Sequence, residues 1–128
     1  GGAAARRCAR TLSQRQFDLV YSIEVAEHQP PQWQQRLVHL MRDASRGLVV
    51  FSAARPAQPG IGHLNKSMRT KADWISAFEA AGMVLMPRLS ATLSRLAFPE
   101  RACDIALNVF VMRKADAPPA LANESAIL

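Results

Sequence analysis

Short apolar runs alternate along the chain with stretches of helical periodicity, and proline, glycine and polar residues separate them. In Phe17-Asp-Leu-Val-Tyr-Ser-Ile23 the apolar Phe17, Leu19, Val20 and Tyr21 mark a short buried strand. Pro30 and Pro31 follow, and Pro31 suits the first turn of a helix, where no backbone N–H is needed. From there Trp33, Leu37, Val38, Leu40, Met41 and Ala44 recur at helical spacing, with Gln32, Gln34, Gln35, Arg36, Arg42 and Asp43 filling most of the other face. The pattern predicts a helix over 31–46, ended by Gly47 at its C′ position. Leu48-Val-Val-Phe-Ser-Ala53 is almost wholly apolar and reads as a strand buried on both faces of a parallel sheet.

A loop rich in proline and glycine, Arg55 to Ser67, comes next and holds Gly60, Gly62, His63 and Asn65. Thr70 and Asp73 stand in a capping-box relation, which places an N-terminus there. Trp74, Ile75, Phe78 and Ala81 then form the apolar stripe of a helix over 71–81 that Gly82 closes. Both Trp33 and Trp74 sit on such stripes and are expected in the core. Met83 to Met86 reads as a short strand, Leu89 to Leu96 as a short helix or irregular excursion, and Asp104 to Arg113 as the last strand. The elements predict an α/β fold: two parallel strands plus an antiparallel terminal pair, with flanking helices. Residues 1–16 form a basic N-terminal segment, 17–113 the folded unit, and 114–128 a loose tail.

At 128 residues, 49% hydrophobic and 20% charged, the chain can build one modest core and is not of disordered composition. No run approaches the roughly 18 apolar residues of a membrane span. The formal charge of +6 is concentrated early, in Arg6, Arg7, Arg10 and Arg15. Those arginines either touch phosphate or form a solvated helix or tail. No aromatic residue lies among them, which disfavours a nucleic-acid partner that stacks its bases. Cys8 and Cys103 belong to no CxxC pair, so neither a disulfide framework nor a cysteine zinc site is expected. A reducing compartment, the cytoplasm, is the default, while the Arg- and Ala-rich opening shares features with organellar transit peptides.

The chemistry of the chain gathers where the first strand ends, in Glu24, Glu27 and His28. Open α/β sheets place ligands at the C-terminal ends of their strands. His28 is a candidate general base because imidazole titrates near neutral pH, and Glu27 a candidate partner that orients a hydroxyl. Equally, the two could cap the next helix or bind each other. Adding His63 makes two carboxylates and two imidazoles, a donor set for Mg²⁺, Mn²⁺ or Zn²⁺. Glu24, Glu27, His28 and His63 are thus the candidate metal ligands. His39 lies on the helix and is expected at the surface, and Asn65 is either turn chemistry or an acceptor contact.

The segment Phe17-Asp-Leu-Val-Tyr-Ser-Ile-Glu-Val-Ala-Glu-His28 resembles the fourth-strand motif of class I S-adenosylmethionine-dependent methyltransferases, FDLV-x-S-x-EV-x-EH. Pro30-Pro-Gln-Trp33 and its helix are similar to the segment that follows. Gly47-Leu-Val-Val-Phe-Ser-Ala53 resembles the fifth strand, and Pro59-Gly-Ile-Gly-His-Leu-Asn65 a PG-x-GH-x-N loop of one bacterial-type branch. Thr70 to Gly82 resembles the helix beyond that loop, and Asp104 to Arg113 the last, antiparallel strand. The likeness spans about residues 17–113.

The resemblance implies a partial Rossmann-like methyltransferase sheet and methyl transfer from S-adenosylmethionine to an oxygen or nitrogen acceptor, a small molecule. It places Ser22, Ile23 and Glu24 against the cofactor and Glu24, Glu27 and His28 at the acceptor. Small-RNA 2′-O-methyltransferases and some ubiquinone-pathway O-methyltransferases pair a comparable E-x-x-E-H arrangement with a metal ion. The family's acidic-x-Gly-x-Gly-x-Gly cofactor loop has no counterpart here, since Gly60-Ile-Gly62 follows the fifth-strand match rather than the first strand. Only sixteen residues precede Phe17, so the chain is expected to be the C-terminal half of the domain. Its open sheet edge would then invite a protein partner. The competing expectation is a methyltransferase-like module without activity, kept as a structural or interaction protein.

Overall fold

Parallel pairing of the first two strands sets the architecture. In the computed structural model, which describes residues 16–97 and 104–127, β1 (Phe17–Ile23) lies beside β2 (Ser45–Ser52), with Tyr21 opposite Val50 and Ile23 opposite Ser52. Helix α1 (Pro31–Ala44) makes the crossover between them. Helix α2 (Lys71–Ala80) leads into β3 (Met83–Leu85), then α3 (Pro87–Ala97), α4 (Asp104–Asn108) and β4 (Phe110–Lys114). Strand β4 runs antiparallel between β2 and β3, giving the order β1-β2-β4-β3. The molecule is an α/β protein with a four-stranded mixed sheet and flanking helices.

The core lies where α1 and α2 cover one face of the sheet. Val49 and Phe51 of β2 stand opposite Met112 and Phe110 of β4, and these four pack with Val38, Met41, Trp74 and Phe78. Phe51 is the hub: its ring centroid lies 4.8 Å from Trp74, 5.2 Å from Phe78 and 5.5 Å from Phe110. Tilted and edge-on aromatic pairs of this kind each add about 0.5–1.5 kcal/mol beyond the area they bury. The Thr70–Asp73 capping box forms as predicted, with Asp73 N–H donating to Thr70 Oγ1 at 3.1 Å and Thr70 N–H donating to Asp73 Oδ2 at 3.1 Å. The Thr70 hydroxyl also donates to Asp73 Oδ2 at 2.6 Å, and this bond first, then the Thr70 N–H, holds the Asp73 carboxyl below its ordinary titration range. Gly82 leaves α2 with φ +84°, a left-handed exit that glycine adopts without strain.

Four expectations are corrected by the structure. Strand β1, expected to be buried, is an exposed edge strand, with Leu19 52% and Tyr21 71% accessible. Gly47 does not end α1; the helix stops at Ala44, and Gly47 lies inside β2. A Cβ there would come within 2.5 Å of the Asp18 carbonyl oxygen, so the glycine serves close approach of β1. Trp33 is 44% exposed under the Arg36 guanidinium, whereas its neighbour Gln34 is buried with Nε2 donating to the Ser67 carbonyl at 2.6 Å. One step along a helix turns a side chain by about 100°, and the core stripe runs through 34, 38 and 41. Trp74 does sit in the core, 1% exposed. The stretch 104–108 is helical, and only Phe110–Lys114 forms the strand.

The tail, expected to be loose, contains helices α5 (Pro119–Ala122) and α6 (Glu124–Ile127). The Glu124 carboxylate accepts from the Arg88 and Leu89 N–H groups, donors at the start of α3 that no helical carbonyl can serve. His39 is at the surface beside Gln35, as expected. Expectations for Arg6, Arg7, Cys8, Arg10, Arg15 and Cys103 lie outside the described residues. Among the described residues no helix is long and apolar enough to cross a membrane.

Candidate functional site

The site forms where β1 and β2 end side by side. Glu24 leaves β1 with φ +53°, one of two non-glycine residues in the left-handed region among those described. Its N–H donates to the Ser52 carbonyl at 2.9 Å, which keeps the chain against β2 for one more residue. The turn aims the carboxylate across the strand ends, where Ser52 Oγ donates to Oε1 at 2.5 Å and Gln58 Nε2 donates to Oε2 at 3.0 Å. A 3-10 turn, Ala26–His28, comes next and buries Glu27 completely while leaving His28 at the surface.

The glycine-rich loop folds over this turn. Leu64 N–H donates to the Glu27 carbonyl at 3.0 Å. The Gly62 carbonyl receives His28 Nδ1–H at 2.9 Å, and the Gln58 carbonyl receives His63 Nδ1–H at 3.0 Å. A carbonyl can only accept, so both Nδ1 atoms carry a proton, and whenever a ring is neutral its Nε2 is the lone pair. The two Nε2 atoms lie 3.9 Å and 4.0 Å from Glu27 Oε1, and the ring centroids are 5.1 Å apart. Gly62 has φ +81°, and a Cβ on it would stand 3.2 Å from His28 Nδ1. A Cβ on Gly60 would collide with the His63 ring. These glycines let the loop close onto the imidazoles.

One ligand atom from each of Glu27, His28 and His63 falls within 4.8 Å of the others. Both Glu27 oxygens are buried without a hydrogen-bond partner. With both rings neutral, the carboxylate faces two imidazole lone pairs, an arrangement of acceptors that calls for a proton or a cation between them. Metal–nitrogen and metal–oxygen bonds of about 2.0–2.2 Å put tetrahedral donors about 3.4 Å apart, so these donors would close by between about half an ångström and about one and a half to share an ion. The two backbone carbonyls supply the outer hydrogen bonds that fix ligating imidazoles in the right tautomer. The donor set therefore fits a divalent cation.

Of the four residues expected to share a metal, the structure brings together Glu27, His28 and His63 and leaves out Glu24, whose carboxylate is engaged by Ser52 and Gln58. Ser22 and Ile23 lie on a groove of about 430 Å³ between the open edge of β1 and α1, together with Val20, Leu37 and Met41. Asn65 is exposed at the start of a 3-10 turn, Asn65–Ser67. The sequence reading missed Ser52, Gln58 and Asn108, which join Glu24 in one hydrogen-bonded chain, with Asn108 Nδ2 donating to Gln58 Oε1 at 2.9 Å. Ser52 carried a usable signal as the polar residue ending an apolar strand; Gln58 carried none. No family model, curated protein or solved structure matches this chain.

Proposed function

We propose that the chain is the acceptor-side, C-terminal half of a class I S-adenosylmethionine-dependent methyltransferase, acting on an oxygen or nitrogen of a small molecule. The observation that carries this reading is the placement of its motif. The segments resembling the fourth and fifth strands are parallel neighbours, with Glu24 bonded across their C-terminal ends and the Glu27–His28–His63 cluster formed by the segments that follow them. Ligands of open α/β sheets occupy that end. Of Ser22, Ile23 and Glu24, the residues that the resemblance assigns to the cofactor, Ser22 and Ile23 line the groove along β1 and Glu24 does not.

Methyl transfer is an in-line displacement at a sulfonium carbon, so the protein contributes mainly positioning and, for a hydroxyl acceptor, removal of a proton. Glu27, His28 and His63 would hold a divalent ion, which would supply Lewis-acid polarisation of the acceptor hydroxyl. Glu24 accepts from the Ser52 hydroxyl and the Gln58 amide and fixes the edge of the site nearest β2. Without an ion, His28 is the exposed imidazole able to take the acceptor proton.

The test is methyl incorporation from labelled S-adenosylmethionine by the complete domain. If the ion takes part, His28→Ala lowers turnover strongly and chelation reproduces the loss. If His28 acts alone as base, His28→Ala lowers turnover and chelator has no effect. Full activity in Glu24→Ala/His28→Ala would leave the cluster only a structural role.

A second reading, an inactive methyltransferase-like interaction module, is favoured by the open edge of β1. Leu19 is 52% and Tyr21 71% exposed on that strand, whose outer edge pairs with no strand among the described residues and is suited to receiving a partner chain.

A further inference from the structure

We propose that Gln58 is the positioning residue of this site: its side chain pins the loop so that its own carbonyl sets the tautomer of His63, while its amide orients Glu24. The orientation of the Gln58 amide is not arbitrary. Oε1 accepts from the Arg55 backbone N–H at 3.3 Å and from Asn108 Nδ2 at 2.9 Å. A backbone N–H can only donate, so the oxygen must face it, which leaves Nε2 toward the Glu24 carboxylate, an acceptor. The same residue's carbonyl receives His63 Nδ1–H. One loop residue thus meets both halves of the site: Glu24 through its side chain and His63 through its backbone.

Backbone strain falls at the same place. The two non-glycine residues with positive φ among those described are Glu24, at +53°, and Ala57, at +66°, the latter directly before Gln58. Such conformations persist where the surroundings over-determine them, and they cluster at functional sites. Here the shared element is the Glu24–Gln58 hydrogen bond, closed behind by Gln58 N–H donating to the Arg55 carbonyl at 3.0 Å. Far from any regular element, the loop would otherwise have little to hold its carbonyl against an imidazole. Gln58 supplies no ligand atom to the Glu27–His28–His63 cluster, yet it decides whether His63 Nε2 offers a lone pair or a proton.

The inference rests, for its purpose, on the reading of that cluster as a cation site, but its first test does not. Nitrogen-15 NMR of the imidazoles in the metal-free chain, at a pH where both rings are neutral, reports each tautomer. Wild type should show His63 protonated at Nδ1. Gln58→Met, which keeps the length and removes the hydrogen bonds, and Gln58→Ala should both move His63 toward the Nε2–H form. His28, whose Nδ1 is held by Gly62 instead, should keep its tautomer. In the second test, Co²⁺ titration, both variants should bind about 10–100-fold more weakly than wild type, the loss expected when an outer hydrogen-bonding partner is removed. A His63 tautomer unchanged in both folded variants overturns the proposal. A tautomer that switches while wild type takes up no Co²⁺ upholds the role of Gln58 and overturns the cation-site reading alone.

Discussion

Replacing Glu27 by glutamine should raise the stability of the metal-free chain, the opposite of what a buried, shape-conserving substitution usually does. Glu27 is fully buried, and neither of its oxygens has a donor. The Nε2 atoms of His28 and His63 lie 3.9 Å and 4.0 Å from its Oε1, and at a pH where the rings are neutral both are lone pairs, since Nδ1 donates to a carbonyl. Under that condition a glutamine amide would place N–H donors toward those acceptors. An unsatisfied buried group costs about 1–3 kcal/mol, more when charged, so Glu27→Gln should gain at least about 1 kcal/mol. For a domain of this size that is about 4 °C or more in Tm. Divalent ion should reverse the order. Wild type gains about 2.7 kcal/mol at a hundredfold excess of ion over Kd, and the variant, lacking the anionic ligand, gains almost nothing. Thermal melts followed by circular dichroism, with chelator and then with Co²⁺, measure both arms. A Glu27→Gln chain less stable than wild type in chelator, or equally stabilised by Co²⁺, would refute the reasoning.

Three further outcomes follow from the same geometry. Phe51→Ala removes the ring that meets Trp74, Phe78 and Phe110 and should cost about 3–5 kcal/mol in denaturant unfolding; a loss below about 1 kcal/mol would mean that the core is organised otherwise. Asp73 titrates below its ordinary 3.8 because Thr70 bonds favour its charged form, so its contribution is fully present above that value and fades as pH falls through the lowered one; Thr70→Ala should flatten this acid-side slope in stability measured between about pH 5 and pH 2, and an identical slope in both chains would contradict it. This chain by itself should bind S-adenosylmethionine weakly or not at all in calorimetric titration, since it contains no acidic-x-Gly-x-Gly-x-Gly loop; micromolar affinity would mean that the cofactor site has been misplaced.

The sequence was most legible where a residue's role is local. The Thr70–Asp73 box, the proline start of α1, the left-handed Gly82 and the apolar run of β2 each carry their structural reason within a few residues. Trp33 and Gln34 were exchanged because α1 buries one polar side chain against a distant carbonyl, that of Ser67, which no periodicity can anticipate. Gly47 reads as a helix terminator by position, yet its reason is the Asp18 carbonyl on the neighbouring strand. At the site, Glu24, Glu27, His28 and His63 stood out by residue type and place at strand ends. Their division into a hydrogen-bonded carboxylate and a separate three-donor cluster was not legible. It depends on the left-handed turn at Glu24 and on Gln58, an ordinary residue in a loop without pattern.

The central claim, that Glu27, His28 and His63 form one cation site at the acceptor end of the sheet, is tested most directly by Co²⁺ titration followed by the visible absorption of the ion. The account predicts uptake of a single ion per chain, with ligand-field bands of nitrogen and oxygen coordination, lost in Glu27→Gln and in His63→Ala and retained in Glu24→Gln. No uptake by wild type, or bands that survive both Glu27→Gln and His63→Ala, would contradict it.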